Sequence, residues 1–227
     1  MITLFKRASS RLPLRVQQEL KRLHFGRQIR KGLFQTDEAE YGRLGQWVKP
    51  GDWVLDVGAN VGHYSRRLSE LVGRNGRVFS FEPVPQTFEI LAANMACCPV
   101  SNVTLLNVAA SDGMGTVGMS IPSFDTGLQN FYMASVTADS PSLSVVAIPI
   151  DSLRFPSRIT LAKIDVEGHE LAALRGMENL LKRDHPVLIV EGQAEPVRDY
   201  LGSLGYGFEE TPGSPNRVFS VRASLET

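Results

Sequence analysis

The sequence predicts an α/β fold with a mostly parallel sheet, and three observations predict it. Short apolar runs alternate with helical patterns from Trp53 to Leu204. Four of the runs end on an acid, at Asp56, Glu82, Asp165 and Glu191. The final pair, Tyr206 to Glu209 and Arg217 to Val221, flanks the turn-rich Thr-Pro-Gly-Ser-Pro-Asn and reads as an antiparallel hairpin. Repeated strand-helix units imply parallel neighbours joined by right-handed crossovers. Ligands of such sheets lie beyond the carboxyl ends of the strands. All four acids are therefore expected around one crevice. With 227 residues, 43% of them apolar, the chain suits one domain with a sizeable core.

The elements follow in order. Residues 12 to 31 predict one or two N-terminal helices. Asp37 with Glu40 three residues on forms a capping-box pattern, and the helix it opens runs to Val48 before Pro50-Gly51. Trp53 to Val57 is the first strand. Tyr64, Leu68, Leu71 and Val72 then share one helix face, and Gly73 and Gly76 end that helix. Val78 to Phe81 is the second strand, Gln86 to Met95 a helix, and Val103 to Val108 the third strand, with a turn from Ala109 to Gly113. Residues 114 to 150 hold short β-rich pieces (Thr116 to Ser120, Phe131 to Thr137, Ser144 to Ile150) and read as a β-rich insertion or lid. Ile159 to Ile164 resumes the alternation. One helix carrying Leu171, Leu174, Met177 and Leu181 follows, then the strand Val187 to Val190 and a helix from Pro196 to Leu204.

The zero net charge hides an asymmetry. Residues 1 to 36 carry nine basic residues against the single acid Glu19, so residues 37 to 227 carry the compensating negative charge. The chain therefore divides into a basic helical arm, 1–36, and one domain, 37–227. Val16, Leu20 and Leu23 give the arm an apolar stripe at helical spacing. Such an arm suits a peripheral membrane surface or an acidic partner. The blander expectation, which is preferred, is packing on its own acidic body or on a sister subunit. An acidic body without interleaved basic and aromatic residues argues against nucleic-acid binding. Cys97 and Cys98 are adjacent and have no third cysteine to pair with, and the N-terminus lacks an apolar signal run. A reduced, cytoplasmic protein is the simplest expectation.

The chemistry concentrates in two stretches. Asp56-Val57-Gly58-Ala59-Asn60-Val61-Gly62 closes a strand and turns into a helix, and the next strand ends at Glu82 twenty residues on. A strand, a glycine turn, a helix and a second strand tipped by an acid make a nucleoside pocket. The glycines let the backbone approach a ligand, and the acid accepts from ribose hydroxyls. Gly58-x-Asn60-x-Gly62 lacks the spacing that cradles a pyrophosphate, which favours S-adenosylmethionine over NAD. The second stretch, Lys163-Ile164-Asp165-Val166-Glu167-Gly168-His169-Glu170, packs three acids and a histidine within six residues at a strand end.

Together with Phe81-Glu82-Pro83, Ile150-Asp151-Ser152-Leu153, Lys163 to Gly176 and Val187 to Glu191, residues 50 to 62 make the chain resemble the FkbM family of S-adenosylmethionine-dependent methyltransferases. The ordered set covers roughly residues 36 to 195. The resemblance implies a Rossmann-like class I methyltransferase fold with a seven-stranded sheet. It also implies methyl transfer to a hydroxyl of a sugar, glycolipid or natural product. By the same resemblance Asp56, Gly58, Asn60 and Gly62 shape the methionine end of the cofactor site. Glu82 holds the ribose, Asn107, Val108 and Ala109 lie near adenine, and Asp165 sits closest to the reacting methyl group. Ala59, Tyr64 and Pro83 are implied as further cofactor-binding residues.

An aliphatic hydroxyl needs help losing its proton, and His169 is the candidate base. Its competing role is to cap a helix or bond a strand. Asp165, Glu167 and Glu191 would suit a divalent cation if they converged. The preferred reading gives no metal, with Glu167 and Glu170 favouring a helix N-terminus. Two other classes stay open: a cofactor-binding scaffold without transfer activity, and an NAD-dependent oxidoreductase. The glycine spacing and terminal hairpin disfavour the second. Nothing in the sequence sets the oligomeric state.

Overall fold

The computed structural model describes residues 12–122, 133–137, 139, 141–192, 194–210 and 213–221. Lys6, Arg7 and Arg11 of the basic arm, Phe131 and Tyr132 of an expected strand, and Thr211 and Pro212 of the hairpin turn lie outside the described residues.

Helices α1 (Leu14–Arg30) and α2 (Ala39–Trp47) precede the first strand. Then come β1 (Trp53–Val57), α3 (His63–Val72), β2 (Arg77–Phe81), α4 (Pro85–Met95) and β3 (Val103–Leu106). Four short strands follow: β4 (Ala109–Ala110), β5 (Gly115–Ser120), β6 (Ser135–Val136) and β7 (Leu143–Ile148). After a 3₁₀ turn at Ile150–Ser152 the chain forms β8 (Ile159–Ile164), α5 (Glu170–Arg175), α6 (Glu178–Asp184), β9 (Val187–Glu191), α7 (Glu195–Ser203), β10 (Tyr206–Glu210) and β11 (Asn216–Val221).

The main sheet has seven strands in the order β3-β2-β1-β8-β9-β11-β10. All pairs are parallel except those of β11, which runs antiparallel to β9 and β10. Strand order reverses between β1 and β8, and a crevice opens at such a switch point. The register there sets Asp56 opposite Lys163 and Val57 opposite Ile164. Successive side chains point to opposite faces. Leu55 and Val57 thus join Phe81, Ile164 and Leu174 in one core layer. Val54 joins Leu68, Val78, Leu161 and Ile189 in the other.

The 114–150 segment does form strands. They make a second, four-stranded sheet in the order β4-β7-β5-β6. Ala109–Ala110, expected in a turn, is part of it, because β4 pairs with β7. Met119, Val145 and Ala147 of this sheet pack on Val84 and Ala109 beside the end of β2.

Two local expectations need correction. Asp37 is not an N-cap: α2 starts at Ala39, Glu38 occupies the cap position, and no side chain caps it. Glu40 is fully buried and accepts hydrogen bonds from Asn216 and Ser214, which draws it toward β11 and away from the helix start. The helix expected through Leu171 and Leu181 is two helices. A β-carbon on Gly176 would lie 1.9 Å from the Ser111 carbonyl oxygen, so the chain breaks there around a close backbone approach. Asp151 then accepts from the N–H groups of Asn179 and Leu180 and starts α6 afresh.

The preferred expectation for the arm, packing on its own body, is met. Helix α1 docks on the body through Phe25 and Ile29, which pack with Phe34, Val61 and Ile90. The stripe Val16, Leu20 and Leu23 takes no part in this and is exposed. Among the described residues, no helix is long and apolar enough to cross a membrane.

Candidate functional site

The loop leaving β1 turns on three left-handed residues, Gly58, Asn60 and Gly62, with φ of 82°, 51° and 96°. Asparagine is one of the few non-glycine residues that adopts this conformation readily. The N–H groups of Gly58 and Ala59 both donate to the Phe81 carbonyl, at 2.9 and 2.8 Å, and tie the loop to the end of β2. These glycines make room for protein. A β-carbon on Gly58 would lie 1.7 Å from the Asp165 carbonyl oxygen. One on Gly62 would lie 2.7 Å from Leu91 and Met95.

Two adjoining hollows open over the switch point. The first, about 620 Å³ including space open to solvent, is lined by Glu82, Pro83, Val108, Ala109, Met119 and His169, among others. The second, about 990 Å³ on the same basis, is lined by Phe25, Glu38, Asp56, Ala59, Tyr64 and Lys163, among others. Gly58, Asn60 and Asp165 belong to both walls. Gly62 and Asn107 belong to neither. Asn107 donates from Nδ2 to the carbonyls of Glu82 and Pro83, at 2.8 and 3.0 Å, and so holds the Glu82 segment from outside.

Charge is organised around Lys163. This lysine is buried, its Nζ is 2.5 Å from Asp165 Oδ2, and it stands 4.7 Å over the Tyr64 ring. Burial disfavours its charge, but Asp165 and Asp56 outweigh burial and hold its pKa above the ordinary value. Asp165 is held ionised: burial works against it, and Lys163 with a bond from Glu191 prevails. Glu191 keeps its proton to higher pH because it bonds Asp165 and is partly buried. Asp56 is fully buried, which raises its pKa against the pull of Lys163. Its Oδ2 accepts from Ser65 at 2.5 Å.

Glu82 accepts the Asn60 N–H on one oxygen and the Val84 N–H on the other, both at 2.9 Å. Burial pushes its pKa up to about 7 even so. Tyr64 donates to Glu38 at 2.6 Å, and burial with that bond raises its pKa strongly. His63 stacks on Phe34 with ring centres 4.2 Å apart, and burial lowers its pKa.

Residues 56–208 match the family described as the methyltransferase FkbM domain. The chain belongs to the FkbM methyltransferase family. It is 30% identical to hexuronic acid methyltransferase AglP of Haloferax volcanii, over 61% of this chain and 55% of that protein. It is 26% identical to methyltransferase sdnD of Sordaria araneosa, over 56% of this chain and 60% of that one. The match therefore spans little more than half the length of either relative. A crystal structure of methyltransferase FkbM from Methylobacillus flagellatus KT shares the fold, with a TM-score of 0.52 at 18% identity over 77% of this chain and 48% of that one.

S-adenosylmethionine is the cofactor that membership of the FkbM family implies, and the walls fit it. Each Glu82 oxygen spends one lone pair on a backbone N–H and keeps another for a ribose hydroxyl. Asp56 Oδ1 and Asn60 Oδ1, in the wall of the larger hollow, are buried without hydrogen-bond partners, an acceptor pair suited to an amino group.

His169 lines the smaller hollow and occupies the N-cap position of α5, but its side chain caps nothing. Its Nε2 instead lies 3.0 Å from Ser111 Oγ. Asp165, Glu167 and Glu191 each offer a carboxylate oxygen within 4.8 Å of the others, a spacing that would suit a divalent cation. Glu167 precedes α5 in a left-handed conformation, φ 50°. Glu170 spends its carboxylate on the N–H groups of Gly168 and Val166.

Several wall or supporting residues were not singled out from the sequence, among them Lys163, Glu38, Ser111 and Met119. Lys163 did carry a signal, since a lone cation inside the apolar run Ile159–Ile164 must find a buried anion. The other three lie in segments whose local patterns, a helix start, a turn and a short strand, say nothing about the site.

Proposed function

We propose that this protein transfers a methyl group from S-adenosylmethionine to a hydroxyl oxygen of a sugar, glycolipid or natural product. The observation that carries the reading is that Glu82, Asp165 and residues 58–61 share one pair of hollows at the switch point of the sheet. A glycan acceptor draws support from the similarity to a relative named as a hexuronic acid methyltransferase. When bound, S-adenosylmethionine supplies an electrophilic methyl group on a good leaving group.

The chain's residues would do the rest. Glu82 holds the ribose, with Pro83, Val108 and Ala109 beside the base. Asp56, Ala59, Asn60 and Tyr64 surround the methionine end. Asp165, kept anionic by Lys163, stands where the two hollows meet and favours a cationic centre there. His169 accepts the proton of the acceptor hydroxyl. In the tautomer whose Nε2–H donates to Ser111 Oγ, 3.0 Å away, Nδ1 is free to act as the base. Positioning of an acceptor oxygen contributes on the order of 7–11 kcal/mol in ideal cases, and a base adds roughly 10²–10⁴-fold. Work at a reduced, cytoplasmic location suits the free thiols Cys97 and Cys98.

The test is transfer of isotopically labelled methyl from S-adenosylmethionine to a panel of free and glycan hydroxyl compounds. Label in an alkali-stable ether supports the proposal. Label in an amine or carboxyl ester, or none in any acceptor class, contradicts it.

A further inference from the structure

Helix α1 has two apolar faces, and only one is used. Phe25 and Ile29 dock on the body. On the opposite side Val16, Leu20 and Leu23 are 42%, 47% and 65% exposed. The spacings of four and three residues make these one row along the helix. Arg27 and Arg30 continue the row, and Arg15, Arg22 and Lys31 flank it; all five are exposed. Between Leu14 and Lys31 six basic residues face the single acid Glu19, which pairs with Arg22. Leu12, beside the helix start, is also exposed.

We propose that this outer face of α1 binds the surface of an anionic lipid bilayer. Exposed apolar residues continued and flanked by exposed arginines suit a helix lying at a membrane interface, with its leucines in the acyl boundary and its cations at the headgroups. Charge disfavours pairing of α1 with α1 of a second copy, since that would bring two strongly basic helices together, whereas anionic headgroups neutralise them. The inner face of the same helix supplies Phe25 to the wall of the larger hollow. A lipid surface on the outer face therefore lies about one helix diameter, ~10–12 Å, from that wall.

Flotation of the full chain with vesicles tests this. Phosphatidylcholine vesicles containing phosphatidylglycerol should capture the protein, pure phosphatidylcholine should not, and added salt should weaken capture. The double variant L20Q/L23Q should bind roughly tenfold or more weakly, with an unchanged thermal unfolding midpoint, because both side chains are exposed in the folded chain. Leu23→Trp, which keeps the face apolar, should show a blue-shifted emission on adding the anionic vesicles. No capture by anionic vesicles, equal capture of L20Q/L23Q, or an unshifted Leu23→Trp spectrum would overturn the proposal. So would a lipid-free dimer that L20Q/L23Q dissociates, since a second copy would then own this face. None of these outcomes depends on methyl transfer.

Discussion

The β-carbon that Gly58 lacks would stand 1.7 Å from the carbonyl oxygen of Asp165. The two strand ends that carry the acids of the site, β1 and β8, are therefore in direct backbone contact. Gly58→Ala must separate them, and because the obstacle is backbone, no rotamer change relieves it. The φ of 82° adds strain for any residue with a β-carbon. Gly58→Ala should lose about 3 kcal/mol or more in urea unfolding. A loss under about 1 kcal/mol would show that the loop can yield.

Lys163 joins Asp56 and Asp165 through the interior. Lys163→Met leaves Asp165 facing Glu167 and Glu191 with no cation, and should cost roughly 3 kcal/mol of stability. The double variant K163M/D165N removes the stranded charge and should recover a measurable part of the loss. Additive losses in that cycle would mean the pair is not coupled.

Glu82 makes the stability of the ligand-free protein depend on pH. Its folded pKa of about 7 lies above the ordinary 4.5. Between these values the native state holds the extra proton, so the contribution is fully present below pH 4.5 and is lost as pH rises through 7. The change amounts to roughly 3 kcal/mol at most. Wild type minus Glu82→Gln should show that slope in chemical unfolding across pH 4.5 to 7. A flat difference would mean that Glu82 is more solvated than its burial indicates.

His169→Ala should lower methyl transfer by roughly 10²–10⁴-fold while S-adenosylhomocysteine affinity stays within about twofold. Unchanged turnover would reduce His169 to a partner of Ser111.

Much of this was legible in the sequence, for a physical reason. Strands buried on both faces read as continuous apolar runs, so β1, β2, β8 and β9 and the acids that tip them stand out. The hairpin of β10 and β11 was legible from its turn residues. What stayed hidden depends on neighbours distant in the chain. The reason for glycine at 58 is a carbonyl at 165, and the reason for the break at Gly176 is a carbonyl at 111. The β4–β7 pair joins residues 38 apart in register, which no local pattern announces. The convergence of Asp165, Glu167 and Glu191 follows from where β9 lies in the sheet. Helical spacing showed that Val16, Leu20 and Leu23 share a face, but not that α1 docks by the other one.

Titration calorimetry of S-adenosylhomocysteine against wild type and Glu82→Ala tests the central assignment most directly. Wild type should bind, and Glu82→Ala should bind roughly tenfold to a hundredfold more weakly, since it removes hydrogen bonds to a charged acceptor. Equal affinity in the two proteins would contradict a cofactor held by Glu82 at this switch point.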